Sequence, residues 1–248
     1  MMAVRRASLS ATTAAYLDQC QAELDREVDP KGSAGSHWDK AKRRKQGTTA
    51  FATLRQTLAR MCNGPQLCMY CEGSEAYPIE HIKPKSQFPE STFAWSNMLL
   101  TCSRCNELKG QKYHDGFLDP SAHGFDLFSR WSFNPKNGHY EPRPKDTDAD
   151  VTLQILGFRA RGSLAERRRL HLRAAIIAIR EYGKAKLGQR HRAARDLIQS
   201  LHTCFPAVVH WLLTTDHGAA DFPGREEVRL VRSRFPEVID DFSRLRPR

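Results

Sequence analysis

The sequence has no run of the roughly eighteen apolar residues that a membrane-spanning helix needs, since its most apolar stretch, RAAIIAIREY, is broken by Arg173 and Arg180. The opening MMAVRRASLS holds no apolar signal-peptide core. No GxxxxGK[ST] phosphate loop is present, so any use of ATP must come from a partner. Internal repeats and low-complexity tracts are absent, and the flanks carry no recognisable helix-turn-helix or finger for reading bases. Three of the seven cysteines, Cys20, Cys62 and Cys204, are scattered at no useful spacing, which argues against a disulfide framework. A soluble protein of a reducing cytoplasm is expected.

What is there points to a polyanionic partner. The formal charge is +11 over 248 residues, and basic surfaces bind phosphates with release of condensed counterions. At 40% hydrophobic, the chain can still bury a sizeable core.

The four remaining cysteines form two short pairs, Cys68 and Cys71 in CMYC and Cys102 and Cys105 in CSRC. Two such pairs supply the four thiolates of a tetrahedral structural zinc site. Between them lies YPIEHIKPKS, read as a short strand over Ala76 to Ile82 that ends at Glu80-His81. Pro84 forbids its regular continuation. A loop then leads to Met98-Leu99-Leu100, and a helix is expected from about Cys105 or Asn106. Folding of this stretch should depend on the ion.

The flanks read as mostly helical. Helices are expected at 11 to about 28, near His37 to Gln46, and over Thr48 to Cys62, where Phe51, Leu54 and Leu58 share a face. Asn137-Gly138 suggests a tight hairpin turn flanked by Trp131, Phe133 and Tyr140. After Gly162 the pattern is helical, with Ser163 and Glu166 as a capping box and Gly183 as a stop. Further helices are expected around Ala194 to Leu201, after Pro206, and from Arg225 to Leu245 with a break at Pro236. The fold class is α+β, mostly α. Three parts are expected: a helical arm over 1–64, a zinc-knuckle core over 65–114, and a hairpin-containing linker with a helical region over 115–248.

Phosphodiester hydrolysis needs a base for the attacking water and a cation to absorb charge on the phosphate. Neutral imidazole suits the first task near pH 7, and a hard divalent ion suits the second. Adjacent strand residues face opposite ways, so if His81 faces the phosphate, Glu80 faces the metal or the helix behind it. One carboxylate and one amide oxygen, from Glu80 and Asn106, make a weak magnesium cage, so full occupancy is expected only with nucleic acid present.

The string CMYCEGSEAYPIEHIKPKSQFPESTFAWSNMLLTCSRCNELKG resembles the HNH, or ββα-metal, nuclease motif in its zinc-bearing form. It is similar in particular to the HNH subunits of Septu-type and retron-associated anti-phage systems, through its YCE, IEH, PKS, W-x-N and CN-x-x-KG elements. The match is dense from Cys68 to Gly110, weaker at Val4 to Arg6 and around VTLQILGFRARGSLAERR, and is not claimed beyond about Lys186. The resemblance implies His81 as general base, Asn97 as the residue bracing the loop and orienting His81, Glu80 and Asn106 as ligands of catalytic Mg²⁺ or Mn²⁺, and Cys68, Cys71, Cys102 and Cys105 as zinc ligands. It also implies a one-metal mechanism giving a 5′-phosphate and a 3′-hydroxyl, and an ATPase partner in bacterial defence. The sequence departs from the commonest pattern in having Glu before the base and Asn at the final His position.

Lys83, Lys85, Lys109 and Lys112 lie near these residues and are expected on the phosphate backbone, with DNA the expected substrate and RNA the other candidate. Arg159, Arg161, Arg167, Arg168 and Arg169 could extend that track or dock a partner. His114 is a rival third ligand, Asn106 could be a helix cap, and Trp95 reads as core. The competing functions are a zinc-dependent binding module without catalysis and a stand-alone restriction-type endonuclease.

Overall fold

Capping chemistry sets the starts of the first two of three opening helices. In the computed structural model, which describes residues 2–73, 75–215 and 222–243, α1 (Ala11–Leu24) begins where the Ser10 hydroxyl accepts from the Thr13 amide at 3.3 Å. α2 (Pro30–Arg43) begins where Asp29 accepts from the Gly32 amide at 3.1 Å, with Pro30 in the first turn, where its missing amide costs nothing. This corrects the expected start near His37: DPKGSAGS is the cap and first turns of α2. Similarly, α1 stops at Leu24, short of residue 28.

α3 (Lys45–Met61) buries the expected face of Phe51, Leu54 and Leu58. Only Arg44 separates it from α2, and the two helices meet at Gly47. A Cβ there would stand 1.8 Å from the Ala41 carbonyl oxygen and 2.7 Å from the Tyr16 hydroxyl, which itself donates to that carbonyl at 2.7 Å. Gly47→Ala should therefore destabilise the protein by about 1–3 kcal/mol through overpacking. Thermal unfolding measures this, and an unchanged midpoint would mean the helices do not touch there.

The central unit is strand, loop, strand, helix. β1 (Ile79–His81) pairs antiparallel with β2 (Met98–Leu100), with Ile79 opposite Leu100, Glu80 opposite Leu99 and His81 opposite Met98. Backbone bonds from Tyr77 to Thr101 and from Ile82 to Asn97, each 3.0 Å, extend the pairing beyond the regular strands. α4 (Ser103–Lys109) starts earlier than expected, with Cys102 as its N-cap, so Asn106 lies inside the helix and is not a cap.

The one-turn α5 (Leu127–Arg130) leads into a second antiparallel pair, β3 (Trp131–Phe133) and β4 (Tyr140–Pro142). The expected Asn137-Gly138 tight turn is instead a wider loop over 134–139. Of those two residues only Gly138 takes a positive φ, +75°. The Asn134 side-chain oxygen accepts from the amides of Lys136 at 3.0 Å and Asn137 at 3.4 Å and shapes the loop instead.

Six helices follow: α6 (Thr147–Ile155), α7 (Gly162–Leu187), α8 (His191–Gln199), α9 (Pro206–Thr214), α10 (Arg225–Arg234) and α11 (Val238–Ser243). The expected Ser163 capping box does not form, because the helix starts two residues earlier with Arg161 at the cap position. Gly183 does not end α7 either. Its bare α-carbon lets α10 approach, since a Cβ would sit 2.8 Å from the Val231 methyl. The expected helical stretch to Leu245 passes outside the described residues after 243.

The result is a mostly helical α+β fold with two small sheets, as expected. Its buried apolar side chains form one cluster reaching from Met2 to Phe242. No helix among the described residues is long and apolar enough to cross a membrane.

Candidate active site and zinc site

The four paired cysteines converge. The sulfurs of Cys68, Cys71, Cys102 and Cys105 all lie within 4.8 Å of one another, and those of Cys71 and Cys102 are 3.8 Å apart. A tetrahedral ZnS₄ centre with bonds of about 2.3 Å has sulfur–sulfur edges of about 3.8 Å, so the donor set and its size both fit zinc.

Backbone geometry holds the thiols ready. The Cys68 amide donates to Gly73 O and the Glu72 amide to Cys68 O, each at 2.8 Å, closing a tight knuckle in which Glu72 takes φ +61°. The Gly73 amide points at Cys71 Sγ at 3.4 Å, and Arg161 Nη1 donates to Cys105 Sγ at 3.1 Å. A second link ties the knuckle to α9: the Phe205 amide donates to Glu72 O at 3.1 Å and the Ala207 amide to Glu72 Oε2 at 3.2 Å.

Strand alternation sends Glu80 and His81 to opposite sides of β1. Glu80 faces α4, where its Oε1 lies 2.8 Å from Lys109 Nζ. Burial raises the carboxyl above its ordinary range while Lys109 opposes the rise, and burial likewise lowers the Lys109 ammonium.

His81 faces α2. Its ring meets Trp38 edge-on at 4.5 Å between centroids, and its Nε2 lies 2.8 Å from Thr92 O. A carbonyl can only accept, so Nε2 carries the proton and Nδ1 holds the free lone pair. Only 4% of the residue is exposed, and burial, then the nearby Lys85 charge, pushes the imidazole down to about 3. It is neutral at ordinary pH and closed off from solvent by α2.

Asn97 spans the connecting loop. Its Oδ1 accepts from the Lys83 amide at 2.7 Å, and its Nδ2 donates to Lys83 O at 3.0 Å and Ser91 O at 2.9 Å. Asn106 is half-buried within α4. No hydrogen bond joins the His81 ring to Glu80 or Asn106 among the described residues; the three lie on the paired strand and the helix of one unit.

The lysines separate into two kinds. Lys83 and Lys112 are exposed, and Lys85 is half-buried with its ammonium 5.5 Å over the Trp38 ring. Lys109, expected on the phosphate backbone, is instead wholly buried, because its ammonium is held by Glu80 and by His81 O at 2.6 Å. The arginine track is mostly spoken for as well. Arg159 pairs with Asp150, Arg161 with Cys105, and Arg169 with Glu166, while Arg168 is sealed in the core over the Tyr140 ring. His114 turns its Nδ1 to the Gly116 amide at 3.0 Å.

Two participants carried no local signal, and a third, Arg6, lies in the weakly matching Val4 to Arg6 stretch. Trp38 sits in the middle of a basic helix, Thr92 contributes only a carbonyl, and Arg6 reaches across 92 residues. Its guanidinium donates to Trp95 O at 2.8 Å, Ser96 O at 3.0 Å and Met98 O at 2.6 Å, and so pins the end of the loop bearing Asn97. Trp95 is half-buried beneath it, its Nε1 donating to Ala7 O at 2.9 Å.

Comparison with known proteins agrees with this geometry. Residues 68–112 match the HNH endonuclease family. The chain is also 35% identical over 108 residues to the Septu protein PtuB of Bacillus thuringiensis, an alignment covering 42% of this chain and 40% of that protein. The stretch from the first cysteine pair to just past α4 is an HNH endonuclease domain, in a chain similar to a Septu protein.

Proposed function

We propose that the protein is a metal-dependent endonuclease that hydrolyses phosphodiesters of nucleic acid, with DNA the expected substrate, as the effector of a cytoplasmic bacterial defence system. The observation that carries this is the tautomer of His81. Fixed by Thr92 O, the ring offers Nδ1 as an unprotonated base at the end of the HNH β1 strand. Such a base takes the proton of the attacking water once the ring is uncovered, because the burial that keeps it neutral also lowers its basicity.

Glu80 and Asn106 would hold a magnesium or manganese ion, their oxygens being the hard donors such ions prefer. When bound, that ion supplies charge neutralisation at the phosphate and the leaving oxygen. Asn97 keeps the loop shape that carries Thr92, and hence the ring orientation. Exposed Lys83 and Lys112 are suited to phosphate contact. Because Trp38 covers His81, cleavage requires α2 to give way first. Similarity to a Septu protein supports a defence role, and the resemblance to retron-associated and Septu-type subunits supports an ATPase partner as the source of that opening.

The test is to incubate the full chain with plasmid, single-stranded DNA and tRNA across magnesium, manganese and chelator. Plasmid cleavage that chelator abolishes is expected. No cleavage of any substrate under any metal, with or without an ATPase partner, would favour a binding module.

A further inference from the structure

Lys109 has no part in the chemistry described above, yet it is placed at its centre. Its Nζ lies 2.8 Å from Glu80 Oε1 and 2.6 Å from His81 O, so one carboxylate and one carbonyl oxygen converge on a single positive charge. Those are the hard oxygen donors a magnesium-type ion uses. The side chain is 0% exposed. A second cation drawn to the same carboxylate oxygen would meet it at contact distance.

We propose that Lys109 is the resident cation of the Glu80 seat, and that a divalent ion loads there only when the Lys109 ammonium withdraws. The proposal deepens the nuclease reading and rests on Glu80 being a metal ligand. A purely stabilising salt bridge is a poorer account. Buried ion pairs contribute little net stability, because desolvation offsets their attraction, and an apolar pair would fill the same space.

The position of Lys109 also suits withdrawal. It is the last residue of α4, and Gly110 follows at φ +49° and ends the helix. A change at that helix end therefore moves the ammonium.

The test uses the full, zinc-loaded chain without nucleic acid and measures Mn²⁺ binding by electron paramagnetic resonance. Lys109→Met should bind Mn²⁺ at least tenfold more tightly than the wild type, and the gain should vanish in Lys109→Met with Glu80→Gln. A folded Lys109→Met that binds Mn²⁺ no more tightly overturns the proposal. Should that variant not fold, acetylation of the wild type decides. Lys109 should be unreactive alone and become reactive with Mn²⁺ and a cleavage-resistant phosphorothioate duplex, and continued protection overturns the proposal. Glu80→Gln cleavage keeps the two readings apart. Full activity of that variant removes Glu80 as a ligand, whereas a dead Glu80→Gln beside an unresponsive Lys109→Met removes only the role of Lys109.

Discussion

Removing zinc is expected to unfold the segment from Leu67 to Lys109 while leaving much of the surrounding helix in place. β1 and β2 have three residues each, and a two-stranded sheet of that size is marginal in water. α4 is seven residues long, with Cys102 at its N-cap and Cys105 in its first turn, so half of the metal site is also the start of the helix. Four thiols within 4.8 Å, three of them buried, would repel one another once ionised unless an ion lies between them. In zinc-finger peptides a structural site is worth about 10–16 kcal/mol. A chelator strong enough to strip the ion should thus release one zinc per chain and open the 65–114 stretch to proteases, while α1, α3 and α7, which have their own apolar faces, retain most of the helical signal. Cys102→Ser should do the same without chelator. A stripped protein with unchanged protease resistance and melting would show that the cysteines are not a metal site.

Replacing His81 by Ala should lower cleavage by about 10²–10⁴-fold, the usual contribution of a positioned general base. The substitution also leaves Thr92 O without its donor and a gap beside Trp38, so stability will fall too. Zinc content and duplex binding are therefore measured alongside. Loss of cleavage with both retained assigns the chemistry to the imidazole, whereas undiminished cleavage by His81→Ala would remove it as the base. The covering ring gives an independent check. Trp38→Ala should make His81 reactive toward diethyl pyrocarbonate in the metal-free protein, where the wild-type ring is shielded. Equal reactivity in both would mean that α2 is not the cover.

The parts legible in the sequence are those whose chemistry is written in short spacing. Two CxxC pairs announce a four-sulfur cluster because the spacing itself sets the geometry, and Glu80-His81 in a strand must diverge because strands alternate. The helix face of Phe51, Leu54 and Leu58 follows for the same reason. What escaped are facts of the folded chain. Gly183 reads as a stop by composition, but it is a crossing point whose partner, Val231, lies 48 residues on in sequence. Asp29-Pro30 is a strong helix start masked by the glycines and serines after it. Lys109 looks like a phosphate lysine among lysines, and only the return of α4 onto β1 turns it inward. Trp38 acts across dozens of residues, where no local pattern reports it, and the weak match at Val4 to Arg6 did not say what Arg6 holds.

The clasp between Glu72 and the amides of Phe205 and Ala207 bears on how such a chain is made. Synthesis runs from the N-terminus, and residues 68–112 leave the ribosome long before the segment that finishes their seating. A bond spanning 135 positions closes late, since distant ends must first find each other. A message cut short after the nuclease segment would yield a knuckle lacking its last support, so assembly of the cutting unit awaits nearly the whole polypeptide.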